Sequence, residues 1–151
     1  MPSRRVVRAL VGLSALAAAA CGGSNSAPQG FFISIRNMTF TPLSLDVPPG
    51  ATVTVLNDDG IGHSVTSEAT ANAFTPGGVD VVTFDTGVFT GQRSFTIPSS
   101  AQEGTVVPYY CQVHRATMVT PTGTITIHAA AQPSAPPVGA SSGGGGGLSG
   151  Y

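Results

Sequence analysis

A cysteine, a histidine and a methionine lie close together near the end of the chain. They are Cys111, His114 and Met118, in the pattern Cys-x2-His-x3-Met, and a second imidazole, that of His63, lies far upstream. One thiolate, two imidazoles and one weakly bound thioether are the ligand set of a blue-copper site. The soft sulfur ligands suit Cu(I) and imidazole suits both oxidation states. These residue types therefore indicate one copper ion, cycling between Cu(I) and Cu(II).

Length and charge limit what else the chain can do. The 151 residues leave room for one domain. There is no lysine, and beyond residue 21 three arginines face seven acidic residues, a formal charge of −4. So few basic side chains could not neutralise a phosphate backbone, so nucleic acid is excluded as a partner.

The first 21 residues have the composition of an export signal. A basic start with Arg4, Arg5 and Arg8 precedes an Ala/Leu-rich run over 9–20, which is too short to span a membrane stably. The small residues before Cys21 resemble a lipoprotein box, in which the cysteine is lipidated. An ordinary secretory peptide cut near Ala20 is the alternative. Either reading predicts export to the periplasm or cell envelope, and the first adds a lipid anchor.

The segments on either side of the central region differ from it in composition. Residues 22–30 are rich in Gly, Ser and Asn and are expected to form a flexible tether. Residues 129–151 are rich in Pro, Ser and Gly, and they hold too few apolar side chains to offset the entropy of ordering. We therefore expect a disordered tail there and a single folded domain over 31–128.

The central region alternates apolar and polar residues with period two, which indicates strands with one buried face. The apolar sets are Phe31/Ile33/Ile35, Leu43/Leu45/Val47, Val53/Val55, Val79/Val81 running to Phe84, Phe95/Ile97, Val107/Tyr109 and Ile125/Ile127. Frequent prolines would interrupt almost any helix. The pattern predicts an all-β Greek-key sandwich or barrel of about seven to eight strands. Only 68–78 is ambiguous, between a loop and a short helix.

The same region resembles the small cupredoxins, which include plastocyanin, pseudoazurin and amicyanin. The resemblance covers roughly 31–128 and includes the Cys-x2-His-x3-Met loop. Upstream it includes the pattern Met38-x-Phe40-x-Pro42-x-x-Leu45-x-Val47-x-x-Gly50 and then Val53-x-Val55-x-Asn57-x-Asp59. Cupredoxins are blue-copper electron carriers rather than enzymes. The resemblance therefore implies a one-electron carrier with one copper ion.

The resemblance also implies roles for individual residues. His63 by itself would be an ordinary turn histidine, but it takes the place of the family's first ligand, with Cys111, His114 and Met118 as the others. His128, the third histidine, falls on the polar side of the last predicted strand, so we expect it to face solvent and not to be a ligand.

Three further residues are expected next to the ligands. Asn57 opens the turn before His63. Ser64 stands where the family often has an asparagine that bridges the two ligand loops. Val113 stands where plastocyanin often has proline, so its N–H is free to donate a hydrogen bond to the Cys111 sulfur.

Two other functions compete with electron transfer. A copper storage or delivery protein needs exchangeable, often methionine-rich ligands, and the chain has only three methionines. A non-metal immunoglobulin-like interaction module would share the strand pattern alone. Copper oxidases need His-x-His pairs or a second loop cysteine, which this sequence lacks. The expected partners of a monomeric carrier are redox proteins, such as a cytochrome or a copper or haem oxidoreductase, docking near His114.

Overall fold

Eight strands and one 3-10 turn, η1, account for the regular structure of residues 27–139, which are the residues that the computed structural model describes. Their bounds are β1 Phe31–Arg36, β2 Thr39–Thr41, β3 Ser44–Val47, β4 Thr52–Asn57, β5 Thr66–Ser67, β6 Gly91–Thr96, β7 Val106–Tyr110, η1 Arg115–Thr117 and β8 Thr122–Ile127. Within this range no helix has the length and apolar character needed to cross a membrane. The predicted signal, the lipidation site at Cys21 and residues 22–26 of the tether lie outside the described residues, as do residues 140–151.

The strands form two four-stranded sheets. One has the order β2-β1-β4-β6 and the other the order β3-β8-β7-β5. β1 pairs with β4 and β3 pairs with β8 in parallel, and the remaining pairs are antiparallel. Consecutive strands repeatedly change sheets, as they do between β2 and β3, β4 and β5, and β6 and β7. The predicted all-β sandwich of seven to eight strands is confirmed.

The inner faces of both sheets make one core, and its residues follow the period-two pattern. Those with no exposed surface include Ile33, Ile35, Val53, Val55, Val107, Tyr109, Ile125 and Ile127. Alternation places these side chains on one face of each strand, and burying that face is the main stabilising contribution to a sandwich.

The prediction of a strand from Val79 to Phe84 is wrong. Val79 and Val82 exchange two backbone hydrogen bonds across a tight turn, in which Asp80 has a φ of 51°. The turn buries Val82 and Phe84 and leaves Val81 exposed, so the apolar residues reach the core from a loop. Apolar alternation alone does not distinguish these two arrangements.

The ambiguous segment 68–78 is a loop organised by a buried carboxylate. Glu68 has no exposed surface, and its two oxygens accept hydrogen bonds from the N–H groups of Asn72 at 2.9 Å and Phe74 at 2.7 Å. Both of those residues have positive φ, which a helix would not allow.

A two-residue hairpin turn joins β1 to β2. Arg36 pairs with Thr39, and the turn residues Asn37 and Met38 have φ values of 52° and 59°. Two positive φ angles define a type I′ turn, which favours Asn-Gly; a methionine at its second position is strained. Contacts elsewhere must therefore hold this turn in place.

Two residues just outside the predicted folded domain pair with each other. Gly30 and Ser134 exchange two backbone hydrogen bonds of 2.9 Å, so each predicted flexible segment holds a residue paired against the other. Glu103 also accepts a hydrogen bond from the N–H of Ala129 at 2.7 Å. Backbone pairing, which does not depend on side-chain hydrophobicity, therefore reaches Ser134.

Candidate metal centre

The four predicted ligands lie in connections that meet at one end of the sandwich. His63 lies between β4 and β5, and Cys111 directly follows β7. His114 and Met118 flank η1, before β8 begins. The last pair between β7 and β8 joins Tyr110 to Thr122, so the whole loop from 111 to 121 lies beyond that end of the sheet.

Three donor atoms converge there. The Cys111 Sγ lies 3.6 Å from the Nδ1 of His63 and 3.7 Å from the Nδ1 of His114, and the two Nδ1 atoms are 3.1 Å apart. A point equidistant from all three lies about 2 Å from each, which is the distance at which a metal ion binds nitrogen and sulfur ligands. The chemistry and the spacing of these donors therefore fit one copper ion.

The centre is shielded from water except at one side. His63 and Cys111 are fully buried, whereas His114 keeps part of its surface exposed. Burial, followed by the nearby His114, lowers the pKa of His63 below its ordinary value despite the opposing effect of Asp59. A lowered pKa keeps the imidazole neutral, and a neutral ring is the form that binds a metal.

An acidic residue, Asp59, contacts Nε2 of His63, the ring nitrogen that does not face Cys111. Its Oδ2 lies 3.0 Å from the His63 Nε2 and accepts a hydrogen bond from the N–H of Met38 at 3.0 Å, while its Oδ1 accepts one from the N–H of Asn37 at 2.6 Å. Burial would raise the pKa of Asp59, but these N–H donors and His63 together lower it below its ordinary value. The carboxylate is therefore charged at neutral pH.

Ser64 connects the two ligand loops. Its N–H donates a hydrogen bond to the Cys111 Sγ at 3.4 Å, and its hydroxyl accepts one from the N–H of Gln112 at 2.9 Å. The bond expected from the Val113 N–H to the sulfur is not present among the described residues. The 111–114 loop turns tightly, with the N–H of Arg115 bonded to the Cys111 carbonyl, and Ser64 on the neighbouring loop supplies the sulfur's donor.

A side-chain network, which the sequence did not indicate, fixes the residue after the cysteine. The Gln112 side-chain amide donates to the Thr66 hydroxyl at 2.9 Å and to the Asp85 carboxylate at 2.8 Å. Thr66 in turn donates to Asp85 at 2.9 Å and lies 3.0 Å from the Ser64 hydroxyl. These residues are far apart in sequence, and no local motif joins them.

Asn57 fixes the loop that carries His63. Its side-chain amide donates to the carbonyls of Ile61 at 2.9 Å and Phe89 at 2.7 Å, and its carbonyl accepts from the N–H of Asp59 at 3.1 Å. The Phe89 backbone also exchanges two hydrogen bonds with that of His63. The turn residue singled out from the sequence thus contacts the loop at several points.

Met118 is buried in the core cluster that includes Cys111. The N–H of the next residue, Val119, donates to the Met38 carbonyl at 2.8 Å, which joins this loop to the β1–β2 turn. The third histidine, His128, is exposed at the other end of β8, where its Nδ1 lies 2.6 Å from Glu103. That contact raises the pKa of His128 above its ordinary value.

A family model described as copper-binding proteins of the plastocyanin/azurin family matches residues 31–128. The chain belongs to this family. It is a small cupredoxin, and the cofactor of the family, one copper ion, fits the donors of His63, Cys111 and His114.

Solved structures of other copper proteins are also similar. A purple cupredoxin from Nitrosopumilus maritimus is 25% identical with a TM-score of 0.45, covering 64% of this chain and 98% of that one. An oxidised mutant of amicyanin is 20% identical with a TM-score of 0.49, covering 66% and 82%. A copper-containing nitrite reductase from Thermus scotoductus is 18% identical with a TM-score of 0.49, covering 80% of this cupredoxin and 25% of the reductase. No curated protein sequence matches the chain.

Proposed function

We propose that this cupredoxin is a type 1 blue-copper electron carrier and not an enzyme. The observation that carries the proposal is the triangle formed by the Cys111 Sγ and the Nδ1 atoms of His63 and His114. In this proposal those residues are the strong ligands and Met118 is the weak axial ligand. Copper, when bound, supplies a centre that exchanges one electron.

The protein's part is to hold the donors in one arrangement. Asn57 and the Phe89 backbone fix the His63 loop, and Ser64 and Gln112 fix the turn after Cys111. Fixed ligands and a buried thiolate keep the change in geometry between oxidation states small, and they keep water away from the centre.

His114 is the proposed route for the electron, since it is the ligand with exposed surface. Four exposed apolar side chains belong to the segments around His114. We call them the apolar rim: Ile61, Val88, Val113 and Val119. Val88 lies against Gly62, next to His63. A redox protein such as a cytochrome or a copper or haem oxidoreductase would dock on this rim, since apolar contact tolerates the short-lived complexes that electron transfer needs.

The experiment is to load the mature domain with Cu(II) and record its visible and EPR spectra. We expect an intense visible absorption from thiolate-to-copper charge transfer, lost in Cys111→Ser. His63→Gln and His114→Gln should also lose it. His128→Gln is the matched control, because this exposed histidine lies at the other end of β8, and it should keep the colour. A colourless wild-type sample would disprove the proposal.

Copper delivery is the competing function, and a chelator distinguishes the two. Full burial of His63 and Cys111 favours slow release, so a carrier should keep Cu(II) during a challenge that strips an exposed site. Rapid loss to the chelator would favour delivery.

We also propose that the chain is exported to the periplasm or cell envelope and lipidated at Cys21. The support is the basic, apolar and small-residue order of the first 21 residues. Residues 27–30 then lead directly into β1, on the side where Gly30 pairs with Ser134.

A further inference from the structure

We propose that Asp59 is a positioning residue that fixes the tautomer of His63 and lowers the reduction potential of the copper centre. This inference rests on the proposed function and extends it to a residue outside the ligand set. It follows from three hydrogen bonds that converge on one carboxylate.

The two ring nitrogens of His63 have different neighbours. Its Nδ1 faces Cys111 and His114, and its Nε2 lies 3.0 Å from the Asp59 Oδ2. A carboxylate only accepts hydrogen bonds, so it selects the tautomer with the proton on Nε2. That tautomer leaves the lone pair of Nδ1 directed at the metal site, which is how a partner on the outer nitrogen orients a ligand histidine.

The Asp59 carboxylate also holds the β1–β2 turn. The carboxylate accepts hydrogen bonds from the N–H groups of Asn37 and Met38, the two residues of the strained type I′ turn. The Met38 carbonyl then accepts the N–H of Val119, next to Met118. The Asp59 side chain thus connects the buried histidine to the β1–β2 turn, and the Met38 carbonyl connects that turn to the methionine loop.

Both oxygens of Asp59 accept hydrogen bonds from backbone N–H groups, an arrangement that stabilises the ionised carboxylate. Its largely buried side chain places this charge one hydrogen bond from a ligand, where little water screens it. A negative charge stabilises the more positive oxidation state. The carboxylate should therefore favour Cu(II) over Cu(I) and lower the midpoint potential.

The first test uses metal-free wild-type protein and does not depend on copper binding. Nitrogen-15 NMR of the His63 ring at neutral pH should show the proton on Nε2. A proton on Nδ1, or rapid exchange between the two tautomers, would overturn the proposal. Since this measurement needs no substitution, it decides the question even if variants at position 59 fail to fold.

The second test is the midpoint potential of Asp59→Asn, which keeps the side chain's shape and removes its charge. We expect Cu(II) affinity to fall about tenfold more than Cu(I) affinity, a rise of about 59 mV for a one-electron couple. Asp46→Asn is the matched control. This substitution removes the same charge from an exposed position on β3. Asp46 pairs with Thr126 of β8, whereas the metal loop lies at the opposite end of β8, at Thr122.

Equal shifts in the two variants would overturn the role of Asp59, since a long-range charge effect would then explain both. Failure of the proposed function looks different. In that case the wild-type protein stays colourless with Cu(II), while the NMR measurement on the metal-free protein still reports whether Asp59 sets the tautomer.

Discussion

At the scale of single residues, the axial role proposed for Met118 can be tested through the potential of the copper centre. Its side chain is buried in the same cluster as Cys111. A thioether is soft enough to bind Cu(I), but compared with no donor at that position its electron density stabilises the more positive Cu(II) more strongly. Met118→Leu keeps nearly the same volume, so the domain should fold normally. We expect cyclic voltammetry to show a potential raised by roughly 59 mV, a tenfold change in favour of Cu(I). An unchanged potential would show that Met118 is not an axial ligand.

The residues around the ligands show what local sequence can and cannot predict. The spacing of Cys111, His114 and Met118 is local, and the family resemblance added His63. Gln112 contacts Asp85, which is 27 residues away, and Asp59, although it lies four residues from His63, is held by the N–H groups of Asn37 and Met38, which are 22 and 21 residues away. Their roles depend on which loops the fold brings together, and a single sequence does not contain that information.

At the scale of strands, the contact between β7 and β8 depends on Gly123 having no side chain. Gly123 faces Tyr109, and a Cβ atom added to Gly123 would lie 2.3 Å from the Tyr109 ring. Gly123→Ala should therefore displace the buried tyrosine and lower the free energy of unfolding by about 1–3 kcal/mol. Denaturant titration measures the loss.

Gly60→Ala is the control for this substitution. An added Cβ at Gly60 has no atom within 4 Å, so unfolding should change little. Equal stability of the two variants would show that the ring of Tyr109 does not need the space above Gly123. Since Tyr109 lies two residues before Cys111, we also expect Gly123→Ala to shift the visible absorption.

The strands themselves were predicted unevenly, for a physical reason. β8 buries alternate residues, and β1, β4 and β7 place alternate apolar residues in the core although each also buries consecutive residues, so hydrophobic periodicity identified all four. β2 and β5 span only three and two residues, too short to show a period. The apolar run at 79–84 reaches the core from a turn, where the same residue types have no regular spacing.

At the scale of the whole molecule, weak charge and an apolar rim predict how two copies meet. Electron self-exchange between Cu(I) and Cu(II) forms requires the rims of two molecules to approach. Val88→Asp would place like charges opposite each other, and we expect NMR line broadening to show a rate about tenfold slower, partly restored by salt. Because position 88 is exposed and water screens the added charge, the fall in potential should be smaller than the rise expected for Asp59→Asn.

Val106→Asp is the matched control, because Val106 is also about half exposed and lies at the far end of β7, about 16 Å of strand from Cys111. Its self-exchange rate should equal that of the wild type. If both variants slow exchange equally, net charge rather than the rim governs the encounter.

The loop that carries His63 runs from β4 of one sheet to β5 of the other, and it is held both by Asn57 at the end of β4 and by the hydrogen bond from Ser64 to the Cys111 sulfur. The distance between nitrogen and sulfur is therefore also a measure of how the layers are aligned. Sliding one layer over the other under pressure or heat would alter the absorption band while the hydrogen bonds within each layer stay intact. The absorption band of the copper-loaded protein would thus report how the two sheets pack against each other.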